Sequence, residues 1–332
     1  MNYQDKFLFL PKLFILVLGL VLFCGCRGGE VSGRDVRNVV VVSVEPHAFL
    51  VERIGGEFVR VEVLVPMGKE PESYQPTPER IVMLTRAKIF FRTGMPFEQV
   101  IIPKLKSLAS DLKIIDLRNG IKLRPLEFHN HDSHNHNSHN HDSHDHNSHN
   151  HNSHNHVGHS DLQESLHDSG SDPHIWFSLS LLKVEAATVL SALIEIDRSN
   201  EELYRKNYED FILELEAVGD KLRVMLEPVK GKTIFVFHPT YGYFCDEFNL
   251  NQRAIEIGGK TPGPQKLVEV INEALKSGTQ SGKKTTIFVQ PEFNRTPAKS
   301  VAEAVNGRIV EHSALERNIF NSMINFAEEI TR

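Results

Sequence analysis

The chain has 332 residues, 40% of them hydrophobic and 24% charged, with a formal net charge of -6. That length and apolar content suffice for two globular domains, while the acidic balance, with no basic stripe, counts against nucleic acid as a partner. With only three cysteines, neither a disulfide framework nor a cysteine-built zinc site is on offer.

Lys6 and Lys12 flank a basic region that leads into the apolar run Leu13 to Phe23 and then Cys24-Gly25-Cys26. The run falls short of the roughly 20 residues a spanning helix needs and suits the core of a secretory signal peptide. Gly25 before Cys26 resembles a bacterial lipobox, although Phe23 stands where leucine is usual, and Cys24, behind the bulky Phe23, is the poorer lipidation candidate. Residues 1–26 are expected to be a lipoprotein signal peptide with Cys26 as lipid anchor, and 27–36 a polar linker. The rest is then extracytoplasmic and membrane-anchored, in the periplasm or on the outer face of the cell membrane.

Val39 to Val44 is a β-branched run typical of a strand buried on both faces of a parallel sheet. A helical stretch from Ala48 to Ile54 follows, closed by Gly55-Gly56, and Val59 to Val65 alternates as a second strand. Thr77-Pro78-Glu79 opens another helix. Lys88 to Arg92 and Lys113 to Leu117 are further strands, so the rhythm is that of an α/β lobe with a parallel sheet.

Residues 129–159 then repeat a His-x-His pentad carrying thirteen of the eighteen histidines: His129, His131, His134, His136, His139, His141, His144, His146, His149, His151, His154, His156 and His159. Without aliphatic side chains before Val157, nothing there offsets the entropy of ordering, so 129–171 is expected to be a disordered loop. Neutral imidazole is a ligand for zinc, copper and nickel. An auxiliary, weak metal-binding loop accounts for this composition better than a spacer or an internal tag.

Asn200 to Leu226 is strongly helical, with Leu203, Tyr204, Tyr208, Phe211, Leu215, Val218 and Leu222 on one stripe and Ser199 or Asn200 able to cap it. A second α/β lobe follows, with strands at Thr233–Phe237, Ala254–Ile257, Thr286–Gln290 and Arg308–Glu311 and helices at Pro264–Leu275 and Pro297–Val305. The expected architecture is two α/β lobes with parallel sheets, 37–198 and 229–332, joined by one long rigid helix over 199–228. A ligand would sit in the cleft between the lobes, near strand C-termini.

Five histidines lie outside the repeat: His47, His167, His174, His238 and His312. His238 and His312 each follow a strand, and His174 lies in a proline-bounded turn, whereas His47 reads as a helix-start or surface residue and His167 as part of the acidic tail. Cys245 reads as a buried, inert thiol.

Several segments resemble one family in order and spacing: Ile54-Gly55-Gly56, Val65-Pro66 leading to GKEPESYQPTPERI, Gly94 to Glu98, Asp172 to Trp176, Phe237 to Phe244, EIGGKTPGPQKL and IFVQPEF. Nearly all the chain beyond the linker resembles the ZnuA/TroA-like metal-binding lipoproteins of bacterial ABC importers, and a His-rich loop before the DPH motif is characteristic of the zinc branch. The resemblance implies a metal held between the lobes by four side chains, and it carries over His174 and His238. Two positions depart from it. Glu72 stands in the place of the first histidine, and His312 in the place of a late aspartate, with Glu311 as substitute if the strand register slips by one.

The implied set, Glu72, His174, His238 and His312, supplies three imidazoles and one carboxylate, a closed tetrahedral zinc shell. The resemblance thus implies a binding protein, not an enzyme: a monomer taking Zn2+, with Mn2+ as the alternative, to a membrane permease. Binding is expected to weaken below about pH 6.5, where imidazole protonates. A zinc hydrolase would need an open position and a general base, and no HExxH spacing is present. A metal buffer or adhesin without transport is a further rival.

Overall fold

The computed structural model describes residues 37–126, 170–256, 262–281 and 284–332. The expectations about the signal peptide, Cys24, Cys26, the linker, the thirteen tract histidines and His167 lie outside the described residues.

The first sheet contains β1 (Asn38–Val42), β2 (Val59–Val63), β3 (Ile89–Arg92) and β4 (Lys113–Asp116) in the order β2-β1-β3-β4, all parallel. Val40, Val41 and Val42 are fully buried, as a strand covered on both faces requires; each such side chain contributes about 1.5–3 kcal/mol of burial energy. Helices α1 (Glu45–Gly55), α2 (Pro78–Thr85) and α3 (Pro96–Leu108) connect these strands. Gly56, at φ 55°, ends α1 in a conformation open to glycine, and its N–H donates to the Glu52 carbonyl. Buried Glu98, near the start of α3, accepts from the Ser43 hydroxyl at 2.5 Å and the Gly94 N–H at 2.7 Å, joining the ends of β1 and β3.

Ile175–Phe177 forms a single 3-10 turn, followed by α4 (Leu179–Ile196), whose cap Ser178 accepts from the Leu181 N–H. The long helix α5 (Glu201–Leu226) buries Tyr204, Phe211, Leu215, Val218 and Leu222 as its stripe predicts. Neither Ser199 nor Asn200 caps it through its side chain; both donate instead to Asp197, which also accepts from Tyr204.

The second sheet repeats the first. β5 (Thr233–Val236), β6 (Asn251–Ala254), β7 (Thr286–Val289) and β8 (Arg308–Glu311) lie parallel in the order β6-β5-β7-β8, with α6 (Gly242–Glu247), α7 (Pro264–Ser281), α8 (Thr296–Ala304) and α9 (Ile319–Thr331) around them. β6 begins three residues before the expected Ala254. α5 packs against α1 and α4 of the first lobe and α9 of the second, and one continuous core runs from Val41 through Trp176 and Phe177 to Tyr241 and Phe326. The architecture is a two-lobed α/β fold with a long connecting helix. Among the described residues no helix is long and apolar enough to cross a membrane.

Candidate metal centre

His238 lies just beyond the C-terminal end of β5. Its position is fixed by Gln290 beyond β7: the His238 N–H donates to Gln290 Oε1 at 3.2 Å, and Gln290 Nε2 donates to the His238 carbonyl at 2.8 Å. A side-chain amide thus extends the ladder one step past the last paired residues. The imidazole stacks on Phe293 with ring centroids 4.6 Å apart, and its Nδ1 lies 2.8 Å from Glu256 Oε1. A carboxylate there holds the Nδ1–H, so Nε2 is the nitrogen that offers its lone pair to a metal once its own proton is released.

His174 is oriented the same way by a different element. Asp172 Oδ1 accepts both the His174 backbone N–H, at 3.0 Å, and the ring Nδ1–H, at 2.7 Å. The proline between them holds the chain in the turn that brings carboxylate and ring together. The His174 ring meets Trp176 edge-on and lies 5.2 Å from the His238 ring.

Glu72 comes from the loop between β2 and α2. Its Oε1 is 3.2 Å from His238 Nε2 and 3.6 Å from His174 Nε2, and the three ligand atoms all lie within 4.8 Å of one another. Two donors on a tetrahedral zinc ion with bonds near 2.0–2.1 Å are separated by about 3.3 Å, so the spacing already suits one small cation. The cluster faces a cavity of about 20 Å³, roughly the room one water-sized occupant needs.

Charge in the cluster is strongly coupled. Burial pushes His238 down, but the hydrogen bonds and charges of Glu256 and Glu72 outweigh it and raise the imidazole to about 10. Burial likewise pushes Glu72 up, yet His238 and His174 hold it down at about 2. The site keeps an anionic carboxylate and attracts positive charge, be it a proton or a metal ion.

His312 is not brought to this cluster. It continues the alternation of β8 onto the core side, where its ring packs on Phe177, Tyr241 and Phe326. Nε2 donates to the Ser322 carbonyl at 2.9 Å and Nδ1 faces the Tyr241 hydroxyl at 3.0 Å, so both nitrogens are engaged away from Glu72. Burial lowers its pKa to about 4, which keeps the ring neutral. Its substitute Glu311 is exposed and paired with Arg295. Of the four expected side chains, the fold brings together Glu72, His174 and His238, a group whose ligand atoms could hold one metal ion. Glu292, from the IFVQPEF segment, lines the same cavity and accepts from the Ser313 hydroxyl at 2.7 Å.

His47 lies in the first turn of α1, as a helix-start residue would, but it is fully buried and not on the surface, with Nε2 2.8 Å from buried Glu185 Oε2. Sequence reasoning missed the orienting roles of Asp172, Glu256 and Gln290. The first carried a signal in its i, i+2 spacing to His174; the other two did not, because they reach His238 from 18 and 52 residues away.

The sequence profile of the family described as zinc-uptake complex component A, periplasmic, matches residues 40–328. The chain is similar to the high-affinity zinc uptake system protein ZnuA of Brucella abortus, 28% identical over 309 residues and covering 90% of each chain. It is similar also to the ZnuA of Yersinia pestis, 27% identical over 303 residues and covering 88% of each. The manganese ABC transporter substrate-binding lipoprotein PsaA of Streptococcus anginosus is 22% identical over 309 residues, with 90% of this chain and 86% of PsaA covered. A crystal structure of ZnuA matches with a TM-score of 0.72 at 28% identity, covering 89% of this chain and 98% of that one. The chain belongs to the ZnuA family and is a metal-binding solute-binding protein of ABC uptake systems, not an enzyme.

Proposed function

We propose that this protein captures extracytoplasmic Zn2+ between its lobes through Glu72, His174 and His238 and delivers it to the membrane permease of an ABC importer. One observation carries the reading: two imidazoles, each with Nδ1 held by a carboxylate, aim Nε2 at the same carboxylate oxygen at 3.2 and 3.6 Å. Two nitrogens and one oxygen suit zinc, whereas manganese favours a more oxygen-rich set. Manganese is the second reading, supported by the PsaA relative and by the carboxylate of Glu292 on the same cavity.

In this reading the lipid on Cys26 tethers a monomer to the membrane, and the 129–159 histidines gather metal through many weak sites. Metal titration of protein lacking residues 129–159, in competition with a chromogenic chelator, tests the function. One tight zinc site, lost in His174→Ala, supports it. Tight binding that disappears with the tract and survives His174→Ala fits a metal buffer instead.

A further inference from the structure

The segment between β8 and α9 forms a wall of the metal cavity. Ala314 and Leu315 line it. Their segment belongs to the second lobe, yet two contacts fasten it to the first. Trp176 Nε1, two residues beyond His174, donates to the Ala314 carbonyl at 2.8 Å. Arg317 then reaches α1, where Nη1 pairs with Glu45 and the other guanidinium edge grips Glu52 through Nη2 at 2.5 Å and Nε at 3.2 Å.

On the far side of this strap lies a groove of about 510 Å³, lined by Glu45, Met67 and Arg317 among others. Glu292 and Leu315 border both the groove and the small metal cavity. The strap therefore lies between the small metal cavity and the larger groove. Lifting Leu315 would join them, and the attachment nearest the groove is ionic rather than apolar.

We propose that Arg317 is a positioning residue that gates metal exchange: its clasp on Glu45 and Glu52 holds the β8–α9 strap shut over the cavity. This rests on the metal-binding reading above. A planar guanidinium gripping two carboxylates fixes orientation as a lysine ammonium would not. The clasp touches none of Glu72, His174 or His238, so loosening it leaves the ligand geometry intact. It should change how fast metal enters and leaves, not how tightly it is held at equilibrium.

The test is stopped-flow zinc exchange on the full chain, with association and chelator-driven dissociation both measured. Arg317→Ala and the double variant Glu45→Gln/Glu52→Gln should each accelerate both rates by about three- to tenfold, the scale of a partly exposed ion-pair network, with Kd unchanged within about twofold. Arg317→Lys should recover part of the wild-type slowness. Raising ionic strength should speed exchange in the wild type by screening the clasp, and should do so much less in Arg317→Ala. Unchanged rates in all variants would overturn the gate, as would a weakened Kd without faster association, which marks simple damage to the site. A wild-type protein that holds no zinc at all would instead overturn the functional reading, and the gate with it.

Discussion

Glu256 Oε1 lies 2.8 Å from His238 Nδ1, and through that contact β6 and the segment after it decide which nitrogen of His238 faces Glu72. Asp172 does the same for His174 at 2.7 Å. The candidate centre is thus a two-layer arrangement: one carboxylate pointing inward to take the ion and two behind the imidazoles to orient them.

Glu256→Gln keeps a hydrogen-bond acceptor near Nδ1 but removes the charge and the strict tautomer preference. Zinc affinity should fall about 10–100-fold, the usual effect of losing a partner behind a metal-bound histidine. Asp172→Asn should do likewise. Chelator-competition titration reads both, and affinities equal to wild type would remove these carboxylates from the account.

The pH dependence should extend well above the ordinary imidazole range. Because Glu256 and Glu72 raise His238 to about 10 in the metal-free site, zinc must displace a proton at neutral pH. Below that value each unit of acidification adds a protonated competitor, so affinity should fall about tenfold per pH unit between pH 9 and 7. Glu72, held at about 2, stays a carboxylate and adds nothing to the slope. Isothermal titration in buffers of different ionisation enthalpy counts the released proton directly. A flat profile above pH 7 would restore the onset near pH 6.5 expected from imidazole alone.

His312 should matter for stability and not for binding. Its folded pKa, near 4, lies below the unfolded value of about 6.5. The unfolded chain therefore takes up the proton first, and stability is complete above about pH 6.5 and lost as pH falls toward 4. His312→Phe removes that acid-sensitive step, while leaving the Ser322 carbonyl and the Tyr241 hydroxyl without their ring partner at a cost of about 1–3 kcal/mol. Denaturant unfolding at pH 7.5 and 5 tests the stability claim, and zinc affinity within about threefold of wild type tests the rest. A loss of 100-fold or more in affinity would return His312 to the ligand set.

Much of the fold was legible in the sequence because strands buried on both faces leave β-branched and aromatic runs such as Val39 to Val44 and Thr286 to Gln290. Edge strand β6 was misplaced, since Asn251, Gln252 and Arg253 face partly into solvent and carry no apolar run. Helices α4 and α9 were not read at all, although each buries much of its surface. The motifs around Glu72, His174 and His238 single out three residues that the fold does bring together. The placement of His312 was not legible, because the position of a residue after a strand does not reveal which face of the sheet it takes. Alternation from Val310 turns it into the aromatic core. Glu256 and Gln290 were illegible because their roles exist only once β5, β6 and β7 lie side by side.

In the proposed centre, Glu72, His174 and His238 bind one metal ion together. This is tested most directly by zinc X-ray absorption of protein lacking residues 129–159 and loaded with one equivalent of Zn2+. Two imidazole nitrogens with oxygen ligands at bond lengths near 2.0–2.1 Å are expected, with loss of one imidazole shell in His238→Ala. A spectrum with three or more imidazoles, or one unchanged by His238→Ala, would contradict the proposed centre.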